Sequence, residues 1–285
     1  IDPVDTPDGG NVGLHKHMAF GAHITNGCSA APMIRWLKKN GLELLAESFP
    51  LYLSRVTRVF VNGSWIGVVK DPRELVLLIK KHRRLGLIPV FISVQWDIQN
   101  MTIFVNTDAG RLCRPIFYVD EETGEPSYKK KEILDRLKSG DFTWAQLISG
   151  FIKKKDEQFN VSKARFYEVS DLYDDRSLDL LYEGAAIIDF IDTAEQESAY
   201  IAMSPQDVTP SHTHVEIHPS LLLGVMGNQI IFPANNQLPR DLFACGQSKQ
   251  AVSLYHSNYL TRIDKMGVVL NYGQIPLLKS RYMKY

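Results

Sequence analysis

The sequence predicts a mixed α/β (α+β) chain assembled from several modules. Three observations lead to that class. With 285 residues and 45% apolar side chains, and at roughly 100–200 residues per domain, there is material for two or three cores. Residues 58–119 alternate strand-like runs with a helical one, as a small α/β unit does. The texture then changes twice, mixing charge-rich and apolar stretches after Asp120 and turning apolar and β-like after Pro205.

In chain order, residues 1–27 open with PVDTPDGGNVG, where turn formers follow one another, so a shaped loop is expected. A helix follows from Ala31 to about Lys39, with Pro32 tolerated in its first turn and Met33, Ile34 and Leu37 as its apolar side. In RVFVNGSWIGVV two apolar runs flank Asn62-Gly63, the signal of a tight hairpin. Asp71-Pro72 then starts a helix whose Leu75, Leu78, Ile79 and His82 share a face, ending near Gly86. VFISVQWDI, MTIFVNTDAG and RPIFYVD read as further strands, and YEGAAIIDFID as a buried one. The lysine runs at 129–131 and 153–155 lie beside acidic residues and read as solvated helix faces. SHTHVEIHPSLLLGVMGNQIIFP reads as β-like, and AVSLYHSNYLTRIDKMGVVL as helical.

Composition excludes several classes. Lys plus Arg equals Asp plus Glu at 32 each, so a basic surface for nucleic acid has to be local. Cys28, Cys113 and Cys245 are far apart and unpaired in pattern, which supports neither a disulfide framework nor a zinc knuckle and implies a reducing, intracellular setting. No apolar run approaches the roughly 20 residues that span a bilayer, so no membrane partner is expected. The first residue is Ile1 rather than Met, as in an excised fragment or a processed product.

Two constellations carry chemistry. His212, His214, Glu216 and His218 alternate along one expected strand and would share a face, as Zn²⁺ or Fe²⁺ ligands do. Histidines packed and hydrogen-bonded between modules fit the same pattern, and no metal site is assigned. In NNQLPRDLFACGQSKQA, Pro239 suits a helix start, and Arg240, Phe243, Gln247 and Gln250 follow at spacings of 3, 4 and 3 along one face. A guanidinium fork, a ring and two amides suit the phosphate, base and sugar of a nucleotide. An exposed helix with Arg240 paired to a carboxylate is the alternative. Lys249 falls off that face. Gly9, Gly10 and Gly13 allow backbone to approach an anion, but no P-loop follows. No nucleophile with its base and no two-metal carboxylate cluster stands out, so no autonomous catalytic residue is assigned.

Several stretches together resemble one family, the second-largest (β-type) subunit of multisubunit DNA-directed RNA polymerases. They are VDTPDGGNVGL (4–14), RVFVNGSWIGV (58–68), TDAGRLCRPIF (107–117), FIDTAEQESAYIAM (190–203), HVEIHPSLLLGV (214–225), NQLPR with KQA (236–251), NYLTRIDKMGVVL, and Y-x-Q-x-PL near 272–277. The resemblance implies the end of a fork region at 1–27, external modules at 28–119 and 120–204, and from 205 to 285 the start of the hybrid-binding region with part of a double-psi β-barrel. It implies that Arg240 and Phe243 meet the incoming NTP, and that Gln250, Gln247, Asp8 and Asn11 face the RNA or hybrid. Mg²⁺ is implied in the assembled enzyme, held mainly by the largest subunit and not by this fragment alone. The implied partners are that subunit, other polymerase subunits, the DNA template, the RNA transcript and NTPs.

The sequence departs from the family pattern at Phe243, where Tyr is often found, at Leu238, where Ser is common, and at Asp8, where Glu is usual; Asn11 resembles the bacterial loop. The match looks closer to the eukaryotic, archaeal and viral branch than to bacteria, and departures such as LPRDLFACGQSKQA (238–251) suggest a large DNA virus as source, which would place the protein in virion or host cytoplasm; a cellular eukaryotic source would place it in the nucleus. The fragment alone is expected to be inactive. The rival readings are a non-catalytic nucleic-acid-binding module and a His-rich metalloenzyme.

Overall fold

The computed structural model describes residues 1–121, 123–129, 131–140, 143–149, 186–251, 259–268 and 271–274. They fall into two compact units, His23–His218, and Ile1–Ala22 with Pro219–Tyr285. The lysine run at 153–155 and residues 252–258 and 269–270 of the expected helix over 251–270 lie outside the described residues; where that stretch is described it is not an α-helix, since Tyr259–Thr261 make a 3₁₀ turn and 262–268 run without helix.

In the larger unit, a short strand β1 (His23–Ile24) precedes α1 (Ala30–Lys39), whose N-cap Ser29 accepts a hydrogen bond from the Ala31 amide. Next come β2 (Glu43–Leu44), α2 (Pro50–Leu53) and the hairpin β3 (Thr57–Val61) and β4 (Ser64–Val69). The hairpin turns as expected: Asn62 and Gly63 both have positive φ, 48° and 80°, which matches the twist of the flanking strands. Helix α3 (Pro72–Arg84) stops where Gly86 takes a positive φ. Strands β5 (Ser93–Asp97) and β6 (Thr102–Asn106) complete an open sheet in the order β2-β4-β3-β6-β5. At Gly67, where β2 crosses β4, an added Cβ would lie 2.1 Å from the Glu43 carbonyl oxygen, so only glycine fits.

Val59, Val61, Ile103, Val105 and Val94 line one face of this sheet. They pack against Met33, Trp36 and Leu37 of α1 and Leu75, Val76 and Ile79 of α3. The α3 face thus forms as read, with one difference. Arg83, a residue that periodicity places with the polar set, is fully buried beside it.

Strand β7 (Leu112–Tyr118), read in the sequence with the 58–119 module, leaves the first sheet and becomes the centre of a second. Helices α4 (Lys131–Ser139) and α5 (Trp144–Ser149) follow in the charge-rich stretch. Strand β8 (Ile188–Asp192) pairs along one edge of β7, and α6 (Thr193–Glu197) starts directly on Asp192. Strand β10 (His214–Val215) pairs antiparallel with β7 and parallel with β9 (Ile201–Ala202). The expected histidine strand is therefore only two residues long. His212 and His218 lie outside it, and the four side chains do not share one strand face. Among the described residues both sheets are open and no barrel closes.

Among its described residues, the smaller unit is built mainly from turns. The loop at its start contains the 3₁₀ turn Gly9–Asn11, and Pro219–Leu222, Gly227–Gln229 and Pro233–Asn235 form three more. Residues 219–233, read in the sequence as β-like, make no strand. Prolines, two close-packed glycines and left-handed Phe232, at φ 47°, oppose an extended ladder there. Helix α7 (Leu238–Lys249) then forms on the segment chosen from the sequence, with Pro239 in its first turn.

Candidate functional site

Helix α7 has two faces. Asp241, Leu242 and Cys245 are buried. Arg240, Phe243, Gln247 and Gln250 are exposed together, so the helical count from sequence produced a real surface. The Arg240 guanidinium carbon lies 5.7 Å from the Phe243 ring centroid, within cation–π range, and Phe243 remains 45% exposed. Gln250 is the C-terminal cap, and its amide donates to the Gln247 carbonyl oxygen at 3.1 Å.

At the other end Gln237 occupies the N-cap position without a side-chain cap. Asn236, just before it, donates to Asp241 Oδ1 at 3.2 Å and to the Ile231 carbonyl oxygen at 3.0 Å, which ties the entering chain to the first turn without capping its amides. Asp241 in the first turn also complements the positive end of the helix dipole. Asp8 and Asn11 are exposed at either end of the turn Gly9–Asn11. Thr6 shapes that turn: its hydroxyl oxygen accepts from the Gly13 amide at 2.9 Å and its O–H donates to the His15 carbonyl oxygen at 3.1 Å.

Lys249 is the residue that helical counting discarded. It continues the inner stripe of Asp241 and Cys245 at intervals of four, and its Nζ lies 2.7 Å from Asp5 Oδ1 and 3.1 Å from His17 Nε2. The 241, 245, 249 spacing was the available signal. Burial, then the nearby Asp5 and Asp2, push the Cys245 thiol up to about 11, with Lys249 opposing, so this cysteine is an inert core thiol.

The histidine constellation dissolves into separate structural roles. His212 stacks on Tyr200 at 4.2 Å and receives the Thr209 amide hydrogen bond on Nδ1 at 3.0 Å. Glu216 is taken by Arg114, with Nη1 at 2.6 Å and 2.7 Å from its two oxygens. His214 is buried, 2.8 Å from the Thr213 hydroxyl through Nδ1, with Nε2 3.5 Å from Asp189 Oδ2. Among the described residues no group of three or more His, Cys, Asp or Glu is placed to hold a metal ion.

A charged network that sequence reading missed holds the larger unit together. Arg83 grips Glu195 with two hydrogen bonds of 2.7 Å and 2.8 Å, and donates to the Ile92 carbonyl oxygen at 2.9 Å. Arg84 reaches Asp189 at 2.7 Å and lies over the Tyr118 ring at 3.7 Å. Arg111 meets Asp192 at 2.7 Å, while Asp192 caps α6 by accepting from the Glu195 amide at 2.8 Å. TDAGR and FIDTAEQE thus act on each other as framework. The signal was two aspartates, Asp189 and Asp192, inside an otherwise apolar run.

Burial opposes the charge on Asp189, yet the guanidinium groups of Arg84 and Arg83 hold its carboxyl well below the usual carboxylate range. Burial likewise lowers His214 below its ordinary 6.5, despite the pull of Asp189, and keeps it neutral. An unfolded chain protonates this histidine more readily than the folded one, so its stabilising contribution is complete above 6.5 and is lost as pH falls toward the depressed folded value. Chemical denaturation from pH 8 to 5 should show stability falling on the acid side, and His214→Gln should flatten that fall.

A shallow apolar hollow of about 450 Å³, lined by Pro50, Leu53, Val56, Arg58, Trp65 and Met101, belongs to the larger unit and contains none of the residues singled out from sequence.

Residues 59–120 match the family model described as RNA polymerase Rpb2, domain 4, and residues 1–24 match RNA polymerase Rpb2, domain 3. The chain is 33% identical, over 100% of its length, to DNA-directed RNA polymerase II subunit RPB2 of Schizosaccharomyces pombe. It is 32% identical over 99% of its length to DNA-directed RNA polymerase II subunit 2 of Arabidopsis thaliana. It is 31% identical over 99% to DNA-directed RNA polymerase subunit Rpo2 of Sulfolobus acidocaldarius. The chain spans 24%, 22% and 23% of those relatives' lengths respectively.

Proposed function

We propose that this chain, homologous along its whole length to second-largest subunits of DNA-directed RNA polymerases, is a segment of such a subunit and works in the polymerase core. The observation that carries this reading is collinear similarity over 100% of the chain to a subunit of that name. In this reading it helps form the active centre and the RNA–DNA hybrid site for RNA synthesis from NTPs on a DNA template. Its partners are the largest subunit, other polymerase subunits, template DNA and the transcript.

The reaction is attack of the RNA 3′-hydroxyl on the α-phosphate of an NTP. Among the described residues no group of three or more His, Cys, Asp or Glu is placed for a metal ion; in this reading Mg²⁺, which would stabilise the transferring and leaving oxygens, is held mainly by the largest subunit, as the family resemblance implies. What this chain supplies is binding and orientation. Arg240, an exposed fork of donors, meets the triphosphate as charge moves onto pyrophosphate. Phe243 beside it offers an apolar edge to the nucleotide. Gln247 and Gln250, one turn further along the same face, and Asp8 and Asn11 on the amino-terminal turn, are assigned to the RNA and hybrid.

The module limits at 27, 119 and 204 belong to the same proposal. So does a share of a double-psi β-barrel after residue 205, completed by residues outside this chain. The relatives named above are eukaryotic and archaeal; a viral source is part of the proposal on the strength of departures in 238–251 such as Leu238 and Phe243, with virion or host cytoplasm as its location, and the nucleus if the source is a eukaryotic cell.

The test is single-nucleotide addition by the assembled polymerase carrying Arg240→Ala, with the isolated chain as an inactive control. We expect kcat/KM for the NTP to fall about tenfold or more, equivalent to about 1.4 kcal/mol of transition-state stabilisation. Unchanged kinetics would remove Arg240 from the site, and RNA synthesis by the isolated chain would overturn its role as one part of a complex.

A further inference from the structure

We propose that the Lys249–Asp5 ion pair is a latch that locks α7 to the amino-terminal loop, making Lys249 and Asp5 positioning residues for nucleotide addition. The inference rests on the reading of the Arg240 face given above.

Four observations lead to it. Asp5 is 7% exposed at its side chain, so water cannot replace its partner, and Lys249 Nζ sits 2.7 Å away. Lys249 follows buried Asp241 and Cys245 at intervals of four along α7, so its half-exposed side chain reaches Asp5 from the buried side of the helix. A lysine in the last turn is also held by the negative end of the helix dipole.

The loop bearing Asp5 is closed on itself. The Asp2 amide donates to the His17 carbonyl oxygen at 2.8 Å, and Thr6, next to Asp5, orders the turn through Gly13 and His15. His17 Nε2 completes the contact 3.1 Å from Lys249 Nζ. Tension on Asp5 is therefore passed to the turn that presents Asp8 and Asn11. One ion pair fixes the register between that turn and the helix face bearing Arg240 and Phe243. Lys249 acts through those groups and need touch no substrate.

The test uses the assembled polymerase with Asp5→Asn, Lys249→Met, both together, and Lys249→Arg. We expect each neutral variant to lower kcat for nucleotide addition about tenfold, with the double no worse than either single, because both break one contact. Lys249→Arg, which keeps the pair, should return kcat to within about threefold of the native value. In the Lys249→Met enzyme, adding Arg240→Ala should cost less than in the native one, since Arg240 is already misplaced. Effects of the two singles that multiply, or a Lys249→Arg enzyme as slow as Lys249→Met, would overturn the latch.

Hydrogen exchange of the amides at 2–17 separates this proposal from the one it rests on. Exchange should quicken about tenfold in Asp5→Asn and Lys249→Met but not in Lys249→Arg. If Arg240→Ala leaves kinetics unchanged while exchange responds so, the reading of the helix face fails and the latch stands. If Arg240→Ala slows addition and exchange does not respond, the latch fails alone. Should Lys249→Met not assemble, the isosteric Asp5→Asn is read in its place by the same two measurements.

Discussion

Replacing Arg83 by leucine is expected to lower the free energy of unfolding by about 3–5 kcal/mol, because it strands the buried Glu195 carboxylate, while Asp189 keeps Arg84. Arg83 is 2% exposed and Glu195 and Asp189 are each 1% exposed at their side chains. Burial works against the guanidinium charge, and the two carboxylates more than restore it, raising the Arg83 pKa above its ordinary value. Without Arg83, the hydrogen bond left to the Glu195 carboxylate among the described residues is a long one, 3.4 Å from the Val94 amide. A loss of that size is a large part of the roughly 5–15 kcal/mol that holds a domain folded. Pairing Arg83→Leu with Glu195→Leu should recover much of it, since an ion pair replaced whole by apolar groups is often neutral. Urea titrations of the two variants decide the matter: a double no more stable than the single would show that packing around the guanidinium, and not its charge, is what counts.

The second large effect is expected at Arg111. Its guanidinium holds Asp192 at 2.7 Å, the Phe91 carbonyl oxygen at 2.8 Å, the Asn106 carbonyl oxygen at 3.1 Å and the Ser93 hydroxyl at 3.0 Å. It thereby ties β5 and the end of β6 to the cap of α6. Arg111→Ala should cost about 2–5 kcal/mol, as several charge-assisted hydrogen bonds go together and a buried carboxylate loses its cation. Lysine should not restore it, because one ammonium cannot span a fork of four acceptors. Denaturation of Arg111→Ala and Arg111→Lys measures this, and hydrogen exchange should quicken first at the amino-terminus of α6. Lysine as good as arginine would mean that charge alone matters at this position.

The two predictions concern residues inside or beside motifs that resembled a polymerase subunit, yet their role is structural. TDAGR and FIDTAEQE draw attention as signatures of function. In the folded chain Arg111, Asp192 and Glu195 serve to join one sheet to the other. The residues assigned to substrate lie elsewhere, on a helix whose exposed face is free of the network.

Local physics was legible in the sequence. The hairpin at Asn62-Gly63, the helix starts at Pro72 and Pro239, and the exposed file of Arg240, Phe243, Gln247 and Gln250 depend on backbone preferences and on a period of 3.6, and both act within a few residues. Family resemblance likewise survives in short motifs. Only the tertiary structure decided which charges meet. Arg83 and Glu195 are 112 positions apart, and Lys249 and Asp5 are 244 apart. Whether a charge is solvated or buried depends on what arrives opposite it, so a pattern that marks Arg83 as a surface residue is reversed once Glu195 packs against it, and Lys249, still 41% exposed at its side chain, is tied to a buried carboxylate that no local pattern brings near.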